Sequence, residues 1–103
     1  MTESISKQVE QLMLSKDFDK ALELCNEKAN ELSKKQYLYL TSVCYRYLED
    51  YDKALSYISH LIELDPTYGR AFQEFGHIHM KLSDKNKAIK GYIRAVRLSL
   101  IHI

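Results

Sequence analysis

The chain has 103 residues, 46% of them hydrophobic, and a formal charge of +1, enough for one domain with a modest core and too little for two. It holds no apolar run near the roughly 18 residues a membrane span needs, and MTESISKQVEQ lacks the basic-then-apolar build of a secretory signal, so a cytoplasmic setting and no membrane partner are expected. The near-zero total conceals a split: residues 1–68 carry 8 Lys and Arg against 12 Asp and Glu, net −4, while residues 69–103 carry 7 against 2, net +5.

A first helix is expected from about Glu3 to Ser15, where Ile5, Val9 and Leu12 repeat on one helical face. Asp17 and Asp19 open a second, their charge suiting the positive end of the helix dipole, with Phe18, Ala21, Leu22, Cys25 and Ala29 as its buried side. Residues 30–35 make a polar turn that contains neither Gly nor Pro. A third helix, about Gln36 to Leu48, alternates tyrosines with Leu38, Leu40 and Val43, a pattern that also suits a strand. The strand is rejected because helical segments flank it at a fixed period and an isolated strand has no partner for its backbone groups.

A fourth helix runs from about Tyr51 to Leu64, and Asp65-Pro66 stops it, since proline disfavours a helical residue before it. A fifth spans about Gly69 to Leu82, Ser83-Asp84 form a turn and N-cap, and a sixth runs from Lys85 to about Ser99. Gly76 and Gly91 each cost their helix about 1 kcal/mol relative to Ala, so each should have a packing reason. Cys25 and Cys44 fall on different helices at places that want buried residues, and are expected as reduced core thiols.

The phrases DFDKAL, DYDKAL and DKNKAI recur, and their alanines Ala21, Ala54 and Ala88 lie 33 and 34 residues apart. Two helices per period near 34 mark a helical solenoid. The residues at fixed places resemble the tetratricopeptide repeat, or TPR. That unit asks for bulky, large, small and aromatic residues at places four, seven, eight and eleven, then alanine, aromatic, alanine and proline at twenty, twenty-four, twenty-seven and thirty-two. A unit starting at Gly69 supplies Phe72, Phe75, Gly76, His79, Ala88, Tyr92 and Ala95, and misses only at Leu100. One starting at Lys35 supplies Leu38, Thr41, Ser42, Tyr45, Ala54, Ile58, Leu61 and Pro66, and the first unit matches chiefly at Leu12, Ala21 and Cys25. The resemblance implies a single all-α domain over residues 1–103, a right-handed helical solenoid of three TPR-like helix-turn-helix repeats at about 2–34, 35–68 and 69–102. Ala54, Ala88 and Ala95 should be nearly inaccessible.

The sequence has no Gly-rich phosphate loop, no helical HExxH and no nucleophile motif, so no catalytic residue, cofactor or metal is expected. His77 and His79 stand two apart on a helix, about 200° from one another, and cannot share a metal; His79 takes the repeat's aromatic place and His77 faces the groove. In the family, first helices line a concave groove that contacts a protein or peptide. The resemblance carries those contacts to Tyr39, Val43, Arg46 and Tyr47, with Gln36 beside them, and to Arg70, Gln73, His77, Met80 and Lys81. That composition suits an extended peptide with apolar and acidic residues. The arrays that grip a C-terminal carboxylate want basic residues and asparagines at places held here by Ser6, Glu10, Leu40, Arg70 and Glu74, of which only Arg70 fits.

Lys87, Lys90, Arg94 and Arg97 form one stripe on the sixth helix, read as a solvated face rather than a nucleic-acid site, because only Tyr92 accompanies it. Ile89, Ile93 and Val96 are expected on that helix's inner side, with the apolar SLIHI ending beyond. An uncapped solenoid end of this kind suggests a weak homodimer through the C-terminal helix. A narrower resemblance, in the run RAFQEFGH, is to repeats that precede a sulfotransferase domain in some bacterial proteins. It implies the alternative of a non-catalytic accessory region of a longer enzyme.

Overall fold

The recurring Asp-x-x-Lys phrase is a helix junction, built the same way three times. In the computed structural model, which describes residues 4–101, Lys16, Glu49 and Ser83 take left-handed backbone conformations with φ of 62°, 64° and 61°. Their amides donate to the carbonyls of Met13, Arg46 and Met80, and the amides of the aspartates that follow donate to Leu12, Tyr45 and His79. These paired bonds are a Schellman closure, which satisfies the last carbonyls of one helix. The same aspartate begins the next helix: the Asp50 and Asp84 carboxylates accept from the amides of Lys53 and Lys87.

Glycine is the usual residue at such a left-handed position because it has no Cβ to clash. None of the three here is glycine. Ser83→Gly should therefore stabilise the chain by about 0.5–1 kcal/mol, relief of backbone strain outweighing the greater freedom of the unfolded chain. The expected result is a melting temperature a few degrees higher, with unchanged circular dichroism.

The helices are α1 (Ile5–Leu14), α2 (Phe18–Glu27), α3 (Lys34–Tyr47), α4 (Tyr51–Leu64), α5 (Gly69–Lys81) and α6 (Lys85–Ile101), with a short 3-10 turn at Ala29–Glu31. No strand occurs among the described residues, and none of their helices is long and apolar enough to cross a membrane. Each helix packs on its neighbours in sequence, and α1, α3 and α5 also touch in turn along one side. The result is the expected all-α solenoid of three helix pairs, 41 × 31 × 22 Å. The expected start at Glu3 and the last two residues of the SLIHI tail lie outside the described residues.

The alternation in α3 has a packing cause. Leu38 joins a core with Ala54, Ile58, Leu61, Ala71 and Ile78, while Leu40 and Cys44 join another with Val9, Ala21, Cys25 and Leu32. Residues 40 to 44 are all buried, so α3 is the central helix, apolar on more than one face. It starts at Lys34, earlier than expected, because Ser33 and Gln36 make a capping box: the Gln36 amide donates to Ser33 Oγ at 3.1 Å and the Ser33 amide to Gln36 Oε1 at 3.0 Å. Ser42 Oγ donates to the Ala54 carbonyl at 2.8 Å, which ties α3 to α4 at the small-residue place.

Three expectations about burial need correction. Ala29 is exposed, because α2 ends at Glu27, and Leu32 fills the core there instead. Ala54 and Ala88 are fully buried but Ala95 is only half so, as no helix among the described residues closes over it. On α6 the inward residues are Ala88, Gly91 and Leu98; Ile89, Ile93 and Val96 face outward. Small inward residues let α6 lie close on α5, and that choice of face turns the larger ones to the open side. Cys25 and Cys44 are free and buried, and burial pushes their thiols up to about 11 and about 12, so both stay protonated.

Candidate functional site

The shared side of α1, α3 and α5 encloses an open cavity of about 670 Å³. Glu10, Met13 and Leu14 of α1, Lys16 in the following turn, Phe18 at the start of α2, and Tyr39, Val43, Arg46 and Tyr47 of α3 form one part of its wall, and Gln73, Glu74 and His77 of α5 form another. Phe18 reaches the cavity because the α1–α2 turn is so short. It stacks on Tyr47 with ring centroids 4.5 Å apart and planes 3° from parallel. The Arg46 guanidinium lies 4.5 Å from the same tyrosine ring.

Arg46 and Glu74 are an ion pair across α3 and α5. Arg46 Nε donates to Glu74 Oε2, and Nη2 donates to Oε1 at 3.2 Å, a bidentate fork that fits carboxylate geometry. The side chains are 14% and 3% exposed, so the pair sits at the base of the groove largely out of water. Its two charges cancel. His77 Nδ1 is 2.8 Å from the Tyr92 hydroxyl, and burial holds its pKa below the ordinary 6.5 although the Glu74 carboxylate pulls the other way. It is neutral at pH 7. The groove floor is therefore aromatic and apolar around a neutralised ion pair, and Glu10 and Lys16 add one charge of each sign to the wall.

Six of the ten expected groove residues line this cavity: Tyr39, Val43, Arg46, Tyr47, Gln73 and His77, while Gln36 is exposed and lines neither it nor the adjoining space. Arg70 stands at its edge, the guanidinium 4.7 Å from the centroid of the Tyr39 ring, and lines an adjoining space of about 590 Å³ that shares Gln73 with the first. Met80 and Lys81 are exposed and line neither cavity, lying too near the far end of α5. The cavity's N-terminal wall was missed, since the first repeat is too irregular for its groove places to be read. Glu74 was missed because its partner lies 28 residues away on another helix.

His79 points away from the groove. It is 4% exposed and meets Phe75 edge-on at 4.4 Å, and its Nδ1 finds no hydrogen-bond partner among the described residues. It fills the aromatic place of its repeat, as expected. Among the described residues no cluster of three His, Cys, Asp or Glu is placed to hold a metal.

Known proteins add the following. The tetratricopeptide repeat profile matches twice, over residues 36–68 and 69–102. Heat shock protein STI1 of Saccharomyces cerevisiae is 32% identical over 87 residues, 82% of this chain, which spans only 15% of that protein's length. Among solved structures, the second TPR of Spaghetti (RPAP3) bound to the HSP90 peptide SRMEEVD superposes with a TM-score of 0.80 at 18% identity, covering 92% of this chain and 84% of that one. PcrH in complex with the chaperone binding region of PopB gives 0.81 at 19% identity, covering 98% and 86%. At those identities the likeness is one of fold, and it is the two profile matches, which together take in well over half of the residues, that decide the assignment: the chain belongs to the tetratricopeptide repeat family.

Proposed function

We propose that this chain is a protein-interaction scaffold that binds an extended peptide segment of a partner protein along α3 and α5, with a bulky apolar side chain seated between Met13, Leu14, Val43 and the Phe18–Tyr47 stack. The observation that carries the reading is the cavity itself, open to solvent and walled largely by apolar and aromatic groups, with Arg46 already satisfied by Glu74 and with Glu10 and Lys16 bringing one charge of each sign to its wall. Desolvating such a wall favours an apolar anchor. An acidic residue of the ligand would find Lys16 in the wall or Arg70 at the groove edge, not Arg46. Two structures of the same fold that hold a peptide or a binding region of another protein support a peptide as ligand. The places at which carboxylate-gripping arrays of the family want basic residues and asparagines hold Ser6, Glu10, Leu40, Arg70 and Glu74 here, and only Arg70 fits, so an internal segment suits the groove better than a C-terminal tail.

Selection from a displayed peptide library tests this. Phe, Leu, Ile or Met should dominate at one anchor position, and Tyr47→Ala, which removes an exposed ring, should weaken the selected peptides roughly tenfold. Selected sequences indifferent to Tyr47→Ala would contradict the reading, as would a requirement for a free C-terminal carboxylate.

A further inference from the structure

The outward face of α6 is a second surface, separate from the groove. Ile89, Ile93, Val96 and Leu100 are 54%, 45%, 58% and 63% exposed, and at about 100° per residue they fall in a single narrow stripe. Beside it runs the stripe of Lys87, Lys90, Arg94 and Arg97, so α6 divides into a buried side, an apolar side and a cationic side. Lys90, Arg94 and Arg97 make no ion pair among the described residues; Arg94 only leans over the Phe72 ring at 5.8 Å.

The chain itself shows what covers such a stripe. One repeat earlier, Ile89, Ile93 and Val96 correspond to Leu55, Ser59 and Ile62 of α4. Those are half-buried, and Leu55 and Ile62 pack against the core that α4 shares with α5. At this place in the repeat the cover is a helix. A second copy is a poor occupant, because pairing α6 with α6 sets two basic stripes together. The acidic row Asp19, Glu23 and Glu27 of α2 does not serve either, since the apolar side of that helix is already buried at Ala21 and Cys25.

We propose that α6 docks an amphipathic helix of a partner protein, its apolar stripe on Ile89, Ile93, Val96 and Leu100 and its acidic flank against Lys90, Arg94 and Arg97. The site does not depend on the groove reading.

A probe peptide of about 16 residues, long enough to match α6, tests it: leucine at positions one, five, eight and twelve, glutamate along one flank, and a twin with lysine in place of each glutamate. Titrated into the full chain labelled with 15N, the glutamate peptide should move the amide signals of Ile89, Ile93 and Val96 and leave those of Tyr39 and His77 in place. It should bind roughly tenfold more tightly than the lysine twin at low salt, the difference shrinking as salt screens the charges. Ile93→Asp, at an exposed site that leaves the fold intact, should abolish the shifts, and Arg94→Glu with Arg97→Glu should invert the preference between the twins. Equal binding of the two peptides would overturn the proposal. So would shifts confined to the groove, a dimer in sedimentation that Ile93→Asp dissociates, or binding to phosphatidylserine vesicles without any to the glutamate peptide.

Discussion

Arg46→Ala is expected to cost about 3–5 kcal/mol of unfolding free energy, because it strands the Glu74 carboxylate in a site where only 3% of the side chain meets water. Coulomb attraction and two hydrogen bonds offset the desolvation of that carboxylate in the native chain, and alanine removes both. Glu74→Ala should cost less, about 2–3 kcal/mol, since the Arg46 side chain borders the open cavity and can turn its guanidinium toward solvent. Replacing both together, as Arg46→Met with Glu74→Leu, should return stability to within about 1 kcal/mol of the parent, because no unpaired charge remains. Urea unfolding of the parent, the double variant, and Arg46→Met and Glu74→Leu made singly closes this cycle. A loss in the double variant equal to the sum of the single losses would mean that the two side chains do not act as a pair. The magnitude matters in a domain whose whole stability is on the order of 5–15 kcal/mol.

Gly91→Leu should be similarly damaging, about 3 kcal/mol, and Gly91→Ala should already lose about 1–2. In an ordinary helix interior the alanine change would be favourable by about 1 kcal/mol. The reversal of sign comes from a close approach of backbone to backbone: a Cβ at position 91 would stand 2.9 Å from the Phe72 carbonyl oxygen and 3.1 Å from the Gly76 nitrogen. Neither atom can yield unless α5 shifts away from α6. Gly76 sits in the same seam, where its own Cβ would meet the Tyr92 ring at 2.6 Å, but a ring can move at lower cost than a backbone. Thermal melts of Gly91→Ala and Gly76→Ala should therefore fall in that order, Gly91→Ala lower. A Gly91→Ala protein that melts above the parent would show that α5 and α6 do not approach this closely.

What could be read from the residues, and what could not, divides along the range of the interaction. The period of 33 and 34 residues, the Asp-x-x-Lys junctions and the buried Ala54 and Ala88 are local patterns, and they specify the helix pairs and their stacking. The stop at Asp65-Pro66 is local too, and α4 ends where it was expected. The left-handed turns at Lys16, Glu49 and Ser83 left no trace in composition, because none of them uses glycine. Gly91 gave a signal without a reason until α5 lay against it. Arg46 reads as a free cation until Glu74, on another helix, is found beside it. His77 and His79 were separated correctly by helical geometry alone. The RAFQEFGH likeness to sulfotransferase-associated repeats gains no support from the relatives described above.

The most direct test of a neutral, apolar peptide groove is an NMR titration of the 15N-labelled chain with two peptides of equal length. One carries Phe and Leu with its ends blocked, and the other is SRMEEVD with its carboxylate free. The blocked apolar peptide should shift the amides of Met13, Val43, Tyr47, Gln73 and His77 with saturation in the micromolar range, while SRMEEVD should bind at least about tenfold more weakly, since Arg46 is already engaged. Tighter binding of SRMEEVD, or shifts from the apolar peptide confined to α2, α4 and α6, would contradict the account.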